Sequence, residues 1–219
     1  MTATLANLDR FNALAADWDD SPLRADIAHG VATAIAAQIP LRADMRALEY
    51  GCGTGLVSVL LAGRLGHIVA ADVAPAMLGV LERKRRAAGL DQIETRRLDL
   101  TCEPLPAERF DLIFTSMTLH HIDDVTQMLG LFRDLLQPGG WVALADLDRE
   151  DGSFHGPDVP GIMHQGFDRA KLVATLTGLD LQAVTATTAY TVEKCDPAGT
   201  PRRYPIFLIT ARRNPRDGG

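Results

Sequence analysis

The sequence predicts an α/β protein built on a mostly parallel sheet with helices on both faces. Between residues 46 and 148, short apolar runs alternate with amphipathic segments of helical length, which is the pattern of βαβ units. Near the end of the chain, the strand-like runs 181–192 and 204–211 follow each other with no room for a helix between them. This second observation predicts that the sheet ends in antiparallel strands.

The individual elements follow from periodicity and from residues that begin or end helices. Residues 5–39 have helical character, and Ser21-Pro22 divides them into two helices because proline favours the first turn of a new helix. Gly89 is expected to end a later helix as its C-cap. The core strands are predicted over 46–50, 67–71, 93–98, 110–116 and 141–147, and the other helices over 56–65, 74–88, 125–136 and 167–176.

Composition and charge argue against several classes of function. The chain has 22 Lys and Arg against 28 Asp and Glu, and this net charge of −6 disfavours a dedicated nucleic-acid binder. Cys52, Cys102 and Cys195 form no CxxC pair, so neither a zinc knuckle nor a disulfide framework is expected, and a reducing, cytoplasmic compartment is favoured. No run reaches the roughly 18 apolar residues of a membrane span, and no secretory signal pattern is seen.

A ligand site is predicted where the first strand meets the glycine-rich loop GCGTG, residues 51–55. Glycines there let the backbone turn sharply and approach a ligand closely. Glu49, Asp72 and Asp99 stand near the ends of three successive strands, so they are expected at one edge of the sheet, where open α/β folds bind ligands. Asp72 is placed to accept from ribose hydroxyls and Asp99 from the amino group of an adenine.

A phosphate-bearing dinucleotide is the weaker candidate ligand. Its G-x-G-x-x-G fingerprint would need glycine at position 56, where this chain has Leu56. The carboxylate of Glu49 just before the loop also disfavours a pyrophosphate, which needs a helix N-terminus free of nearby negative charge. A cationic adenosyl compound tolerates that carboxylate, and S-adenosylmethionine carries a sulfonium and an ammonium but no phosphate.

These motifs resemble those of the class I S-adenosylmethionine-dependent methyltransferases over about residues 46–148. The segments that carry the resemblance are ALEYGCGTGLVSVLLA, IVAADVAPAMLGVLERK, LDL, RFDLIFTSMTLHHIDD and FRDLLQPGGWVALADL. The resemblance implies a doubly wound, mostly parallel seven-stranded sheet in the order 3-2-1-4-5-7-6 with strand 7 antiparallel. It also implies S-adenosylmethionine as the cofactor, lying over strands 1 to 4.

The resemblance implies a role for each matching residue. Glu49 is expected near the methionine moiety of the cofactor, Asp72 at the ribose and Asp99 at the adenine amine. The other implied cofactor residues are Gly51, Cys52, Gly53 and Gly55 of the loop, Val73 and Met77 of the apolar adenine wall, Leu100 beside it, and Thr115 and Ser116 at the methionine end.

One domain over residues 1–219 is expected, in four segments. These are a helical cap over 1–45, a cofactor-binding core over 46–148, an acceptor-side loop over 149–166, and a helix with antiparallel strands over 167–212.

The acceptor side is predicted from residues near the ends of strands four and five. His121 is the first candidate for a general base and His120 the second, because an imidazole there has a usable pKa. The alternative is that both histidines only pack or cap the next helix. Trp18, Asp146, His155 and His164 are further candidates for the acceptor site. No metal is expected, because the spacing is loose and histidines fit magnesium poorly.

The predicted function is methyl transfer to an O, N, S or C atom of a small-molecule acceptor. The expected protein is a cytoplasmic monomer or homodimer that binds neither nucleic acid nor membrane. The segment TSMT at 115–118 replaces the D/N-P-P-Y of enzymes that methylate DNA bases, and the Y-x-x-x-K at 190–194 lies in a strand-type run, unlike that of short-chain dehydrogenases. Two alternatives stay open: a non-catalytic cofactor-binding protein and a protein methyltransferase.

Overall fold

The computed structural model describes residues 3–156, 159–196 and 199–215, and its strands form one seven-stranded sheet. The strand order is β3-β2-β1-β4-β5-β7-β6, with β1 to β5 parallel and β7 antiparallel to both of its neighbours. The predicted fold class and strand order are therefore confirmed. The strands are β1 (Arg46–Tyr50), β2 (His67–Asp72), β3 (Ile93–Arg97), β4 (Phe110–Ser116), β5 (Leu136–Leu147), β6 (Leu181–Cys195) and β7 (Pro201–Arg213).

The helices begin and end close to the predicted residues. Pro22 opens the second helix as expected, and Gly89 ends the fourth in a left-handed conformation with φ +63°. The Asp168 side chain caps the last helix by accepting from the backbone N–H of Ala170 at 2.8 Å. The helices are α1 (Ala3–Leu14), α2 (Pro22–Gln38), α3 (Leu56–Leu61), α4 (Pro75–Ala88), α5 (Val125–Leu135) and α6 (Arg169–Gly178), with 3₁₀ turns at Trp18–Asp20, Ala62–Arg64 and Leu119–His121.

Two apolar layers cover the faces of the sheet. Successive side chains of a strand point to opposite faces, so Phe114 of β4 packs in the layer with Ile35 of α2, while its neighbour Ile113 packs in the layer with Phe132 of α5. All four side chains are completely buried or nearly so. Burial on both faces explains why these strands are continuous apolar runs in the sequence.

The sheet departs from the prediction around its fifth strand. β5 begins at Leu136, directly after α5, and pairs that residue with Phe110. Residues 138–140, between the predicted helix and the predicted strand, instead form an irregularity within the strand pairing, which resumes where Trp141 pairs with Leu112. β6 and β7 are also longer than predicted, because their mutual antiparallel pairing continues as far as Cys195 and Pro201.

The N-terminal segment lies across the edge of the sheet where β1, β2 and β4 end. In α1, Asn12 accepts a hydrogen bond from the backbone N–H of Ala76 in α4 at 3.0 Å, and Phe11 and Trp18 pack against a small cluster that contains Met77. In the described part of the chain, none of the helices combines the length and apolar character needed to cross a bilayer. The predicted division into segments stays a prediction, although the 1–45 segment does cover the predicted ligand edge.

Candidate functional site

A cavity of about 780 Å³ opens at the carboxyl ends of β1 to β4 and beneath α1. Its volume lies within the range of small-molecule sites. It brings together most of the residues singled out in the sequence. Those that line it are Trp18, Glu49, Gly51, Cys52, Gly53, Asp72, Val73, Met77, Asp99, Ser116, His120, His121 and His155.

Five other predicted residues lie behind the cavity wall or beside it. Gly55 is the residue before α3, and Thr115 is buried inside β4. The backbone N–H of Leu100 donates to the hydroxyl of Tyr50 at 3.2 Å. Asp146 is buried behind His120, and the His164 ring contacts the carbonyl of Ile122 rather than the cavity. These positions support the first group from behind.

The glycine loop is held by hydrogen bonds from its backbone N–H groups to the end of β2. The backbone N–H groups of Gly51 and Cys52 donate to the carbonyl of Ala71 at 2.8 and 2.9 Å, and that of Gly53 donates to Asp72 Oδ2 at 2.7 Å. Gly51 has φ +73°, and a Cβ there would lie 2.3 Å from the Thr118 side chain, so only glycine fits. Because these N–H groups are already used, the loop is not arranged to bind a phosphate.

Carboxylates stand at three strand ends along this side, as predicted. Asp72 also accepts from the backbone N–H of Ala74 at 2.8 Å, and Asp99 accepts from that of Thr101 at 3.0 Å. Glu49 is only 2% exposed and accepts from the backbone N–H of Ser58 at 3.1 Å and from the Ser58 hydroxyl. Burial raises the pKa of Glu49 to about 8, and it also raises the pKa of Asp72.

These residues fit an adenosyl cation. Asp72 and Asp99 can accept from ribose hydroxyls and an amino group, while Val73 and Met77 offer an apolar surface to a ring. A positive charge near Glu49 would favour its ionised form and so offset the burial that raises its pKa. The chemistry of the donor set and the occupied loop N–H groups therefore agree on S-adenosylmethionine rather than a pyrophosphate.

On the other side of the cavity, His120 and Asp146 form a buried pair. His120 Nδ1 is 2.8 Å from Asp146 Oδ1, and Asp146 Oδ2 accepts from the His120 backbone N–H at 3.2 Å. Although Asp146 is completely buried, the charge and hydrogen bonds of His120 lower its pKa. An ionised carboxylate only accepts, so Nδ1 carries a proton whether the ring is charged or neutral, and in the neutral ring Nε2 carries the lone pair.

The Nε2 atom of His120 has no hydrogen-bond partner in the part of the chain that the structure describes. His120 is 1% exposed, and its Nε2 is one of the few buried side-chain polar atoms without a hydrogen bond among the described residues. A buried polar atom of this kind is rare and costs free energy unless a ligand satisfies it. A carboxylate-oriented imidazole that lines a cavity and has an unpartnered nitrogen is the arrangement of a general base.

Two more imidazoles lie beside this pair. His121 Nδ1 donates to the carbonyl of Gly161 at 2.8 Å, and burial together with the neighbouring His120 lowers the pKa of His121 to about 4. The His155 ring centroid is 4.9 Å from that of His120, and burial lowers the pKa of His155 to about 3. Both rings are therefore neutral near pH 7, so these two histidines give this wall polar groups but no charge.

Two segments cover the histidines. The Asn7 side chain in α1 donates to the carbonyl of Gly161 at 3.0 Å, and the backbone N–H of Met163 donates to the carbonyl of His120 at 2.8 Å. The predicted acceptor-side loop, residues 149–166, is thus docked on both α1 and the histidine turn, where it is described; residues 157–158 lie outside the described residues.

Sequence reasoning missed three cations that line the cavity: Arg10, Arg24 and Lys194. Arg24 lies 3.7 Å from the centroid of the Trp18 ring and donates to the Trp18 carbonyl at 2.9 Å. Lys194 extends from β6 to a point 4.1 Å from the centroid of the Phe154 ring. In the sequence, only the position of Arg10 next to Phe11 in α1 could have indicated that one of these cations faces the cavity. No group of His, Cys, Asp and Glu suited to a metal ion is found in the described part of the chain.

Comparison with known proteins agrees with this geometry. The family described as "Methyltransferase domain" matches residues 47–140. The chain is 32% identical over 167 residues to a ubiquinone biosynthesis O-methyltransferase of Cereibacter sphaeroides, a match that covers 68% of this chain and 66% of the relative. It is 31% identical over 160 residues to a demethylmenaquinone methyltransferase of Clavibacter sepedonicus, covering 73% and 58% of the two chains.

A similar fold is seen in the solved "DhpI-SAM-HEP complex". The TM-score is 0.72 at 21% identity, and the match covers 96% of this chain and 97% of the other. At that identity the likeness shows the fold alone. The curated relatives share more sequence, but this chain spans at most about two thirds of their length.

Proposed function

This chain belongs to the class I S-adenosylmethionine-dependent methyltransferases, and we propose that it methylates a hydroxyl group of a small molecule. The observation that carries the choice of a hydroxyl is the buried His120–Asp146 pair: His120 lines the cavity, and its Nε2 has no hydrogen-bond partner among the described residues. When bound, S-adenosylmethionine supplies an activated methyl group on its sulfonium. A hydroxyl acceptor needs a base to remove its proton, whereas an amine that is already neutral does not.

Each half of the cavity has a defined task under this proposal. Asp72 and Asp99 would hold the adenosine part of the cofactor, and Glu49 would lie toward its cationic end. His120 Nε2 would take the proton of the acceptor hydroxyl as the methyl group passes from the sulfonium sulfur to the hydroxyl oxygen, which would leave S-adenosylhomocysteine. Asp146 keeps His120 in the tautomer that can accept this proton and stabilises the imidazolium that results.

The covers contribute by position rather than by chemistry. Phe11, Trp18 and Met163 line the cavity, and from these positions they would limit the access of water and restrict the orientation of the acceptor. His121 was the first candidate base by sequence. We assign that role to His120 instead, because the Asp146 carboxylate can stabilise an imidazolium at His120, whereas among the described residues His121 Nδ1 bonds only to the neutral Gly161 carbonyl.

A small acceptor is favoured over a protein. Both α1 and the loop around Gly161 cover the histidine side, and a cavity of about 780 Å³ shared with the cofactor leaves room only for a compact molecule. The relatives named as quinone-biosynthesis methyltransferases support a small acceptor as well. A purely cofactor-binding protein would gain nothing from an unpartnered, carboxylate-oriented imidazole.

The test is transfer of a tritiated methyl group from S-adenosylmethionine to a panel of small hydroxyl, amine and thiol compounds. We expect label in hydroxyl compounds, formation of S-adenosylhomocysteine in equal amount, and loss of both in Asp146→Asn. Binding of S-adenosylhomocysteine without transfer to any hydroxyl compound, or transfer to amines that survives Asp146→Asn, would overturn the proposal.

A further inference from the structure

We propose that the acceptor is an acid: a hydroxylated small molecule with an apolar body and an oxyanion group that pairs with Arg10. This inference rests on the proposed function and adds the substrate class. It starts from a second unsatisfied group in the cavity. The Nη1 atom of Arg10 is buried without a hydrogen-bond partner, and Arg10 lines the cavity beneath α1.

Arg10 also lacks a counter-ion. Among the described residues, none of the ion pairs includes its guanidinium, and the neighbouring charge that acts on it most is that of Arg24, another cation. A guanidinium without a partner in a partly buried position is costly, since both its charge and its N–H groups lose water. A bound oxyanion would supply both a counter-charge and hydrogen-bond acceptors, and the planar guanidinium suits carboxylates and phosphates.

The position of Arg10 assigns it to the acceptor rather than to the cofactor. Its positive charge acts on His121 and His155, adding to the burial that lowers the pKa of each, so it lies on the histidine side. Phe11, the residue next to it, has its ring centroid 5.2 Å from that of His121. An acid held by Arg10 would therefore lie within the same part of the cavity as His120 Nε2.

A different cation, Arg24, is placed where it could pair with the cofactor's own carboxylate. Arg24 stacks on Trp18, next to Asp19, and Asp19 Oδ1 accepts from the hydroxyl of Thr54 in the glycine loop at 2.5 Å. Arg24 thus belongs to the loop side of the cavity, where the methionine end of the cofactor is expected. This leaves Arg10 for the second ligand.

The remaining walls describe the body of the acceptor. Phe11, Phe154, Met117 and Met163 line the cavity around the histidines, and they offer apolar surface for a ring or a short chain. Lys194 adds a second positive charge on this wall, although its ammonium donates to the Phe154 carbonyl. An acid with an apolar body and a hydroxyl group matches the cation, the apolar wall and the base together.

The experiment compares matched acids and amides. Wild type with S-adenosylmethionine would be assayed for label transfer to hydroxylated benzoates and hydroxyalkyl carboxylates, to their neutral amides, and to the corresponding phosphonates. We expect acids to be preferred over amides, and the carboxylate and phosphonate arms tell which oxyanion is read. Equal or better methylation of the amides would overturn the inference while leaving the proposed function intact.

Variants then assign the preference to Arg10. Arg10→Gln is expected to raise the acceptor KM by roughly 10- to 100-fold, the loss typical of a charge-assisted contact, with no change in affinity for S-adenosylhomocysteine. Arg24→Gln should instead weaken S-adenosylhomocysteine, and Arg42→Gln, at an exposed ion pair with Asp44, is the matched control. If Arg10→Gln weakens S-adenosylhomocysteine and keeps the acid preference, the inference is wrong.

A binding measurement keeps the test independent of turnover. Benzoate and methylphosphonate have no hydroxyl group and cannot be methylated there, so calorimetric titration of the complex with S-adenosylhomocysteine reads the anion site alone. At least one of the two should bind, and Arg10→Gln should abolish that binding. If neither binds the wild-type complex, the anion site does not exist.

Discussion

The two halves of the cavity are built in opposite ways. On the β1–β3 side, Asp72 and Asp99 already hold backbone N–H groups, and the glycine loop uses its own N–H groups internally. On the β4–β5 side, Arg10 Nη1, His120 Nε2 and His155 Nε2 are buried without partners among the described residues. The first half needs no ligand to keep its shape. In the second, the unsatisfied atoms mark what a ligand has to supply.

The largest effect is expected from His120→Asn, which removes the proposed base and keeps a polar side chain. Turnover should fall by roughly 10²- to 10⁴-fold, the range for loss of a positioned general base. Affinity for S-adenosylhomocysteine should be unchanged, because His120 belongs to the other half of the cavity. Initial rates with saturating substrates and calorimetric titration measure the two quantities.

His121→Asn is the matched control for that experiment, since the two histidines are adjacent in the same 3₁₀ turn. Its effect should be much smaller, because the ring is held by Gly161 and is not oriented by a carboxylate. A reversed order of the two variants would return the role of base to His121, the first candidate from sequence.

The next effect is expected from Asp72→Ala, which acts on the preformed half. The change removes the proposed acceptor of the ribose hydroxyls and the side chain that holds the N–H groups of Gly53 and Ala74, so the Kd for S-adenosylhomocysteine should rise by roughly 10- to 100-fold. The Kd of Asp72→Asn should lie between those of wild type and Asp72→Ala, since asparagine keeps one acceptor oxygen. An unchanged Kd with reduced turnover would show that the two halves are not separate.

A pH effect is expected from Glu49. Its pKa of about 8 means that it is protonated at neutral pH in the free protein, and a cationic ligand has to displace that proton. As pH increases toward 8, affinity for S-adenosylmethionine should therefore rise by up to about tenfold per pH unit. Above pH 8 the affinity should level off. Calorimetry in buffers of different ionisation enthalpy should detect proton release on binding.

Glu49→Gln separates this effect from titration of the ligand. The difference in affinity for S-adenosylmethionine between wild type and Glu49→Gln should shrink as pH falls, because the protonated acid resembles the amide. The same raised pKa should make the unfolding free energy of wild type, relative to the variant, fall as pH rises from about 4.5 to about 8, since the native state holds a proton that the unfolded chain releases. Parallel pH profiles for both proteins would contradict the assignment.

The smallest effect is expected from Gly161→Ala in the cover. Gly161 has φ +80°, and a Cβ there would lie 1.7 Å from the Asn7 side chain, so the hydrogen bond between α1 and the loop should be lost. We expect a few-fold rise in the acceptor KM with unchanged cofactor affinity, since the bond is partly solvated. Gly156→Ala is the matched control, with φ +85° and no atom near its Cβ. Equal effects of both variants would mean that backbone strain, not the contact with Asn7, is responsible.

The preformed half could be predicted from sequence because its signals are local. Glu49, the loop and Asp72 follow strand ends that periodicity finds, and parallel strands bring those ends to one edge. The other half depends on segments distant in the chain. Nothing near His120 in sequence shows that Asp146 orients it, and Arg10 and Lys194 come from opposite ends of the chain.

The choice between two adjacent histidines shows the same limit. Both lie in the turn Leu119–His121, and their ring directions are set by a short 3₁₀ geometry that no apolar pattern encodes. The early start of β5 has a similar cause. Pro138 and the two glycines that follow it suggest a turn in the sequence. In the structure, Leu136 already pairs with Phe110, so backbone groups on both sides of the irregularity are hydrogen-bonded within the sheet.

The carbonyl oxygen of Gly161 accepts from both Asn7 and His121, at 3.0 and 2.8 Å. One atom thereby ties together the start of the chain, its middle and the loop between β5 and α6. Loosening any one of these three removes a restraint on the other two, so substrate entry and product exit should take place in a single concerted opening rather than by independent motions.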